Sequence, residues 1–329
     1  MNIVCLIGIA LLVIISFNSA FATDYTISDQ ASCEASPLNG YWNGQCWILN
    51  LLIDDGDTLY LNAGIELVVN GTLTNNGLIT VEGVIYIQNF IPSTFINNNS
   101  TTILTGGNIT TDELATIENN GLITNNGDIN LVFASGVYVN DGTLVNNGTV
   151  TNNGRITNDG TITNDNTMNN YGTFTNTGTL TNEGTITNTN DGTITNDGTL
   201  TNDGIISGGL TNNEIYIENG SVTSQLTWEN NDRMIIEQGS RIDGFGTNHG
   251  TITLDGYLWT TSTITNDGKI NIGKTGTFEV TGGVVVNSKI IDNFGLITGN
   301  SDITNDGTIK NRCGGSIVWK EQDGGSLNI

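Results

Sequence analysis

Basic residues are scarce in this chain: Lys and Arg number 9 against 33 Asp and Glu, a formal net charge of −24. So acidic a chain repels nucleic-acid phosphates and anionic membrane surfaces and opposes binding to either, and no nucleic-acid partner is expected. Histidine occurs once, as His249 in a turn slot that Asp fills elsewhere. The sequence therefore offers no Ser/His/Asp arrangement and no His/Cys cluster for a transition metal. Beyond residue 22 no apolar run is long enough to span a bilayer. Aromatic residues make up 7% of the chain and charged residues 13%, far from the globular average. Such low hydrophobicity suits a disordered chain unless the apolar residues recur at a fixed spacing. Here they do, and an ordered repeat is expected.

The exception to the missing apolar runs is at the start. Ile3 to Ile15 leads to Ser19-Ala20-Phe21-Ala22, a small-residue cleavage pattern before Thr23. Residues 1–22 read as a secretory signal peptide, although no Lys or Arg precedes the apolar stretch. A secreted location, extracellular or at the cell surface, follows, with no transmembrane segment once the signal is removed. Cys5 leaves with the leader. Cys33 and Cys46 flank a short loop and are expected to form a disulfide in an oxidising compartment. Cys313 is left over and is read as a buried thiol in a C-terminal cap, an intermolecular link being the alternative.

Four segments follow from the pattern: the signal peptide at 1–22, an N-terminal cap with the disulfide at 23–50, a repeat array at 51–310 and a C-terminal cap at 311–329. Glycines six apart begin at Gly71, Gly77 and Gly83, lapse around 88–115, and become nearly perfect over 141–206. Asn166 takes one glycine slot, and the step from Gly184 to Gly192 is lengthened by Asn190-Asp191. Two residues are an even insertion, so in/out alternation survives it.

One unit is Gly160-Thr161-Ile162-Thr163-Asn164-Asp165. Thr-Ile-Thr is a short strand with Ile162 on one side and both threonines on the other. Asn, Asp and Gly are turn formers, tolerant of left-handed backbone. An apolar period of six excludes a helix. Alone the unit fails: burying one Ile supplies roughly 1.5–3 kcal/mol, whereas ordering six backbones costs roughly 6–12 kcal/mol. Stacked units add strand ladders, an apolar column and asparagine ladders at inner corners. The expected fold is all-β, a parallel β-solenoid of triangular coils of about 18 residues with capped ends, a flattened coil of about 12 being the alternative. Coiled uniformly at about 18 residues, the mature chain makes about 17 turns and a rod about 80 Å long.

At Thr149-Val150-Thr151-Asn152-Asn153-Gly154 and Gly192-Thr193-Ile194-Thr195-Asn196-Asp197 the chain resembles the repetitive extracellular β-helix proteins of archaeal and bacterial surfaces. That resemblance covers most of 68–310 and implies an adhesin-like surface scaffold. The hexad of β-helical acyltransferases fits poorly, because Thr follows the aliphatic residue and Asn comes two after it.

Chemistry-bearing residues are few. Asp159, Asp165, Asp197 and Asp203 precede a hexad glycine or its substitute, and stacking would bring some of them together along an edge. They are the calcium candidates, and calcium is the one cofactor the sequence suggests; solvated turns are the competing reading. Arg241-Ile242-Asp243 completes no catalytic motif. The expected function is a non-catalytic structural or adhesive rod whose partners are surface polysaccharide, protein or further copies of itself. A calcium-dependent carbohydrate-binding module and a polysaccharide-active enzyme are the alternatives.

Overall fold

The computed structural model describes residues 23–36, 38–88, 92–189, 192–220 and 223–319. The signal-peptide segment 1–22 and residues 320–329 of the C-terminal cap lie outside them. Each central hexad is a four-residue strand whose second and fourth side chains are buried, as in Thr161–Asn164 and Thr179–Asn182. Three such strands complete one coil. Thr143–Asn146, Thr161–Asn164, Thr179–Asn182 and Thr199–Asn202 stack in parallel as the first face. Thr149–Asn152, Thr167–Asn170 and Thr185–Asn188 stack as the second, and Arg155–Asn158, Thr173–Asn176 and Thr193–Asn196 as the third. The chain is thus a parallel β-solenoid with triangular coils; the flattened coil is ruled out.

There are about 13 turns, fewer than the uniform estimate, giving a rod about 60 Å long at the usual strand spacing. Coil length is not uniform. Corresponding residues on neighbouring coils are 18 apart in the regular block, 22 apart nearer the start, and 34 apart at the first coil. The region where the hexads lapse is still coiled, through Thr94–Asn97, Ser100–Ile103 and Asn108–Thr111. Its extra residues form corner turns closed by Leu104 O with Gly107 N at 2.8 Å and Asp112 O with Ala115 N at 3.4 Å.

Buried asparagine holds the corners. From Asn75 through Asn176 to Asn305, thirteen asparagines form one unbroken column between the third and first faces. Each Nδ2 donates to the next Oδ1 at 2.6–2.8 Å. The second amide proton also finds a carbonyl, as Asn158 does with Thr179 O at 2.9 Å. A second column runs Asn125, Asn146, Asn164, Asn182, Asn202. It ends on the buried Glu218 carboxyl, which accepts from Asn202 at 2.9 and 3.0 Å and from the Tyr216 hydroxyl. A third, shorter column links Asn152, Asn170 and Asn188. Pairing of this kind offsets the cost of placing polar groups inside a dry core.

The hexad glycines serve a different end from the one their turn chemistry suggests. None between Gly142 and Gly204 has positive φ. A Cβ on Gly178 would lie 2.2 Å from the Gly160 carbonyl oxygen one coil below, and one on Gly184 2.0 Å from that of Asn166. Glycine is there for close approach of coil to coil. Where Asn99, Asn166, Glu214, Asp232 or Lys289 takes the slot, the next N–H reaches the coil below at 3.3, 3.2, 3.1, 3.0 and 3.3 Å. After Gly121, Gly142, Gly160, Gly178 and Gly198 the same bond is 2.7–3.0 Å. Positive φ occurs at longer corners, at Gly56, Gly64, Gly106, Gly239 and Gly314, each the third residue of a hydrogen-bonded turn, and also at Gly208 inside the strand Ile205–Asn212.

The leading segment is already part of the solenoid. Asp24–Ile27 pairs in parallel with Thr58–Leu61, and Cys46–Ile53 with Glu66–Asn75. Between them the helix Gln30–Glu34 starts in a capping box: Asp29 accepts from Ser32 N at 2.8 Å while Ser32 Oγ accepts from Asp29 N at 3.0 Å. The helix delivers the fully buried Cys33 to Cys46, and the expected disulfide is present with Cα atoms 5.6 Å apart. Cys313 corrects the reading as a buried thiol: it is exposed, in the turn Arg312–Gly315, where no further coil covers it among the described residues.

Candidate functional site

The four calcium candidates divide between two corners. Asp165 and Asp203 follow Asn164 and Asn202 of the second asparagine column, with Glu183 on the coil between them. Asp159 and Asp197 sit on the corner of the thirteen-asparagine column, separated by Thr177. All are exposed, and three have outer partners: Thr177 Oγ1 donates to Asp159, Asn213 to Asp197 and Asn219 to Asp203, the last two at 2.6 Å. The acidic turns are thereby woven into an outer ladder of Asn and Thr amides and hydroxyls. No group of three His, Cys, Asp or Glu residues able to hold a metal gathers among the described residues. His249 stands half-exposed on the same corner, its ring nitrogens 4.0 Å from Glu229 and 3.8 Å from Asp267.

The distinctive surface lies elsewhere. Over three successive coils the strands Ile205–Asn212, Thr223–Asn230 and Arg241–Asn248 run eight residues without a turn. They pair in parallel along most of that length. These strands pass from the second face into the third with no corner residues between, the first of them bending at Gly208 (φ 100), and so cut off the corner. The coil before keeps its corner between Thr185–Asn188 and Thr193–Asn196, where Gly192 N donates to Thr189 O at 2.9 Å. The coil after keeps it between Tyr257–Thr260 and Ile264–Asn266. A notch about three coils, or about 14 Å, tall results.

Glycines permit this passage. A Cβ on Gly244 would meet Leu226 O at 2.3 Å, and one on Gly246 would meet Trp228 O at 1.8 Å and the Trp228 ring at 2.7 Å. The buried Trp228 indole thus uses the space that an inward side chain at 246 would take. Within the notch are two depressions of about 290 and 530 Å³ that share Thr227 and Phe245. Gln225, Asp243 and Trp259 line the smaller, and Thr193, Glu229 and Thr265 the larger.

The outward positions here break the threonine rule. Gln225, Asp243, Trp259 and Glu279 stack on successive coils, as do Arg241, Tyr257 and Thr277 beside them. Arg241 Nε donates to Asp243 Oδ1 at 2.5 Å, and its guanidinium lies 4.7 Å from the Tyr257 ring centre and 5.3 Å from that of Trp259. The Tyr257 hydroxyl donates to Glu279, and Trp259 Nε1 donates to Thr281 Oγ1 at 2.7 Å. The polar tips of Tyr257 and Trp259 are held, so these rings are oriented before anything binds. The arrangement offers aromatic faces beside carboxylate, amide and hydroxyl groups.

Motif reading passed over this cluster, because Arg241 and Asp243 match no catalytic pattern. One signal was available: Arg241, Phe245, Tyr257 and Trp259 occupy outward slots that the repeat fills with Thr. The chain matches no protein-family model, no curated protein and no solved structure.

Proposed function

We propose that this chain is an exported structural or adhesive rod that presents its lateral faces to surface polymers and performs no catalysis. The thirteen-asparagine column is the observation that carries the reading. An unbroken buried ladder from Asn75 to Asn305 couples successive coils along the axis and makes a stiff scaffold. Support also comes from the disulfide-closed first coil, which suits an oxidising exterior, and from the resemblance of its hexads to surface-protein repeats. The net charge of −24 suits a cation-rich medium outside the cell.

Negative-stain electron microscopy of residues 23–329, with an assay for glycan cleavage on the same preparation, tests the proposal. Straight rods about 60 Å long, single or assembled, without cleavage activity are the expected result. Flexible or globular particles, or robust turnover of any polysaccharide, would sink it.

A further inference from the structure

We propose that the notch at the cut-off corner, with the adjoining cluster around Arg241, is a binding site for a neutral glycan chain that works without calcium. The proposal rests on the adhesive reading above and gives that reading a place and a ligand class.

Shape is the first argument. The two depressions lie on either side of Phe245, which is 41% exposed and so stands as a ridge between them. A third depression, of about 380 Å³, lies beyond Arg241 and Tyr257 and is lined by Gln238, Gly239 and Thr275. The three follow the strand direction across the second face and into the notch. From Arg241 to Thr247 that path is about 20 Å long. An extended chain with repeating units fits such a row of shallow seats, whereas a single small molecule would use one. A folded protein partner would need a broad apolar centre, and here exposed rings alternate with charged and hydroxyl groups.

Chemistry is the second. A pyranose has one face of C–H groups and a rim of hydroxyls. Phe245 and Trp259 supply flat apolar surfaces for the first. Gln225, Asp243 and Glu229, with the Thr227 and Thr247 hydroxyls, supply acceptors and donors for the second. The Trp259 and Tyr257 rings are pre-oriented by the Trp259–Thr281 and Tyr257–Glu279 bonds, which lowers the entropy lost on binding.

Charge selects the class of glycan. Arg241 is matched by Asp243, while Glu229 and Glu279 add negative charge around the cluster. Within a chain of net charge −24 this field rejects sulfated and uronic-acid polymers and admits uncharged ones. Calcium has no part in it: these carboxylates form no metal-holding group among the described residues, and Asp243 is occupied by Arg241.

Pull-down and isothermal titration of residues 23–329 in EGTA provide the test. The probes are insoluble cellulose and chitin, soluble mannan and laminarin, and polygalacturonate and heparin as anionic controls. Binding to at least one neutral probe is expected, with a change in tryptophan fluorescence. Phe245→Thr and Trp259→Thr, which restore the residue the repeat uses at outward slots, should each weaken that binding at least tenfold. Both variants should keep the wild-type circular dichroism, so loss of binding is separable from loss of fold. Thr157→Ala, on the outward side of the third face, should bind as wild type. Full binding by Trp259→Thr, binding confined to the anionic probes, or no binding to any probe would overturn the site. None of these outcomes touches the rod reading, which falls instead on particle shape or on glycan cleavage.

Discussion

At the scale of single residues, two side chains of similar polarity play opposite parts in every unit. Asn176 is buried in the long column: it accepts from Asn158 at 2.6 Å and donates to Asn196 at 2.7 Å and to Thr199 O at 3.1 Å. Thr175, one residue earlier, faces solvent. Asn176→Ala leaves buried donors and acceptors unpaired on both neighbouring coils and should cost about 2–4 kcal/mol. Thr175→Ala should stay within about 0.5 kcal/mol. Urea denaturation of the two variants makes the comparison, and equal midpoints would remove the column from the account of stability. Tyr86 gives a pH-dependent counterpart. Burial, then its 2.9 Å hydrogen bond to Asp112, pushes its phenol up to about 12. The folded value lies above the unfolded one of about 10, so its contribution is complete below that pH. It is lost as pH rises through the folded value. Tyr86→Phe should therefore flatten the alkaline fall in Tm over that window, and an unchanged slope would count against the assignment.

At the scale of elements, the corners decide what the strands can do. A short corner needs close approach and takes a glycine without positive φ. Some long corners place one residue at positive φ, and their four-residue turns put glycine there at Gly64 and Gly106, whereas the turns Phe133–Gly136 and Gly273–Gly276 close without one. Leu114 holds the same place in the turn from Asp112 to Ala115, at φ 57 and 61% exposed. A leucine in left-handed backbone costs about 1–2 kcal/mol, and its exposure returns little of that. Leu114→Gly should accordingly raise stability by about 1 kcal/mol, read as an increase in Tm. A decrease would mean that the leucine side chain contributes more than its exposure suggests.

At the scale of the whole molecule, stacking lays out charge as regularly as it lays out asparagine. Asp165, Glu183 and Asp203 occupy adjacent coils of one corner, so like charges recur at about 4.8 Å. Such columns repel one another in dilute buffer. Salt that shortens the Debye length from about 30 Å at 0.01 M to about 10 Å at 0.1 M should raise Tm. Calcium at matched ionic strength distinguishes general screening from a specific site. An increase no greater than that given by sodium means solvated, screened corners. A much larger one, lost when Asp165 and Asp203 are replaced by Asn, would assign a calcium site to this column.

Much of the architecture was legible in the sequence, because a repeat states the same local physics many times over. The period of six, the inward aliphatic residue, the even insertion before Gly192 and the corner asparagines each follow from short-range pattern, and the stacked strands carry all of them. The Cys33–Cys46 bond was legible for the same reason, its partners being 13 residues apart. What the tertiary structure decided concerns residues on different coils. The glycine of each hexad is required by a carbonyl oxygen one coil below. Cys313 is exposed because the coiling ends near it among the described residues. The notch arises because three neighbouring coils run on without corner residues where the coils on either side turn. Arg241, Tyr257 and Trp259 meet only through that stacking. Period is written along the chain, whereas juxtaposition depends on the exact length of every intervening coil.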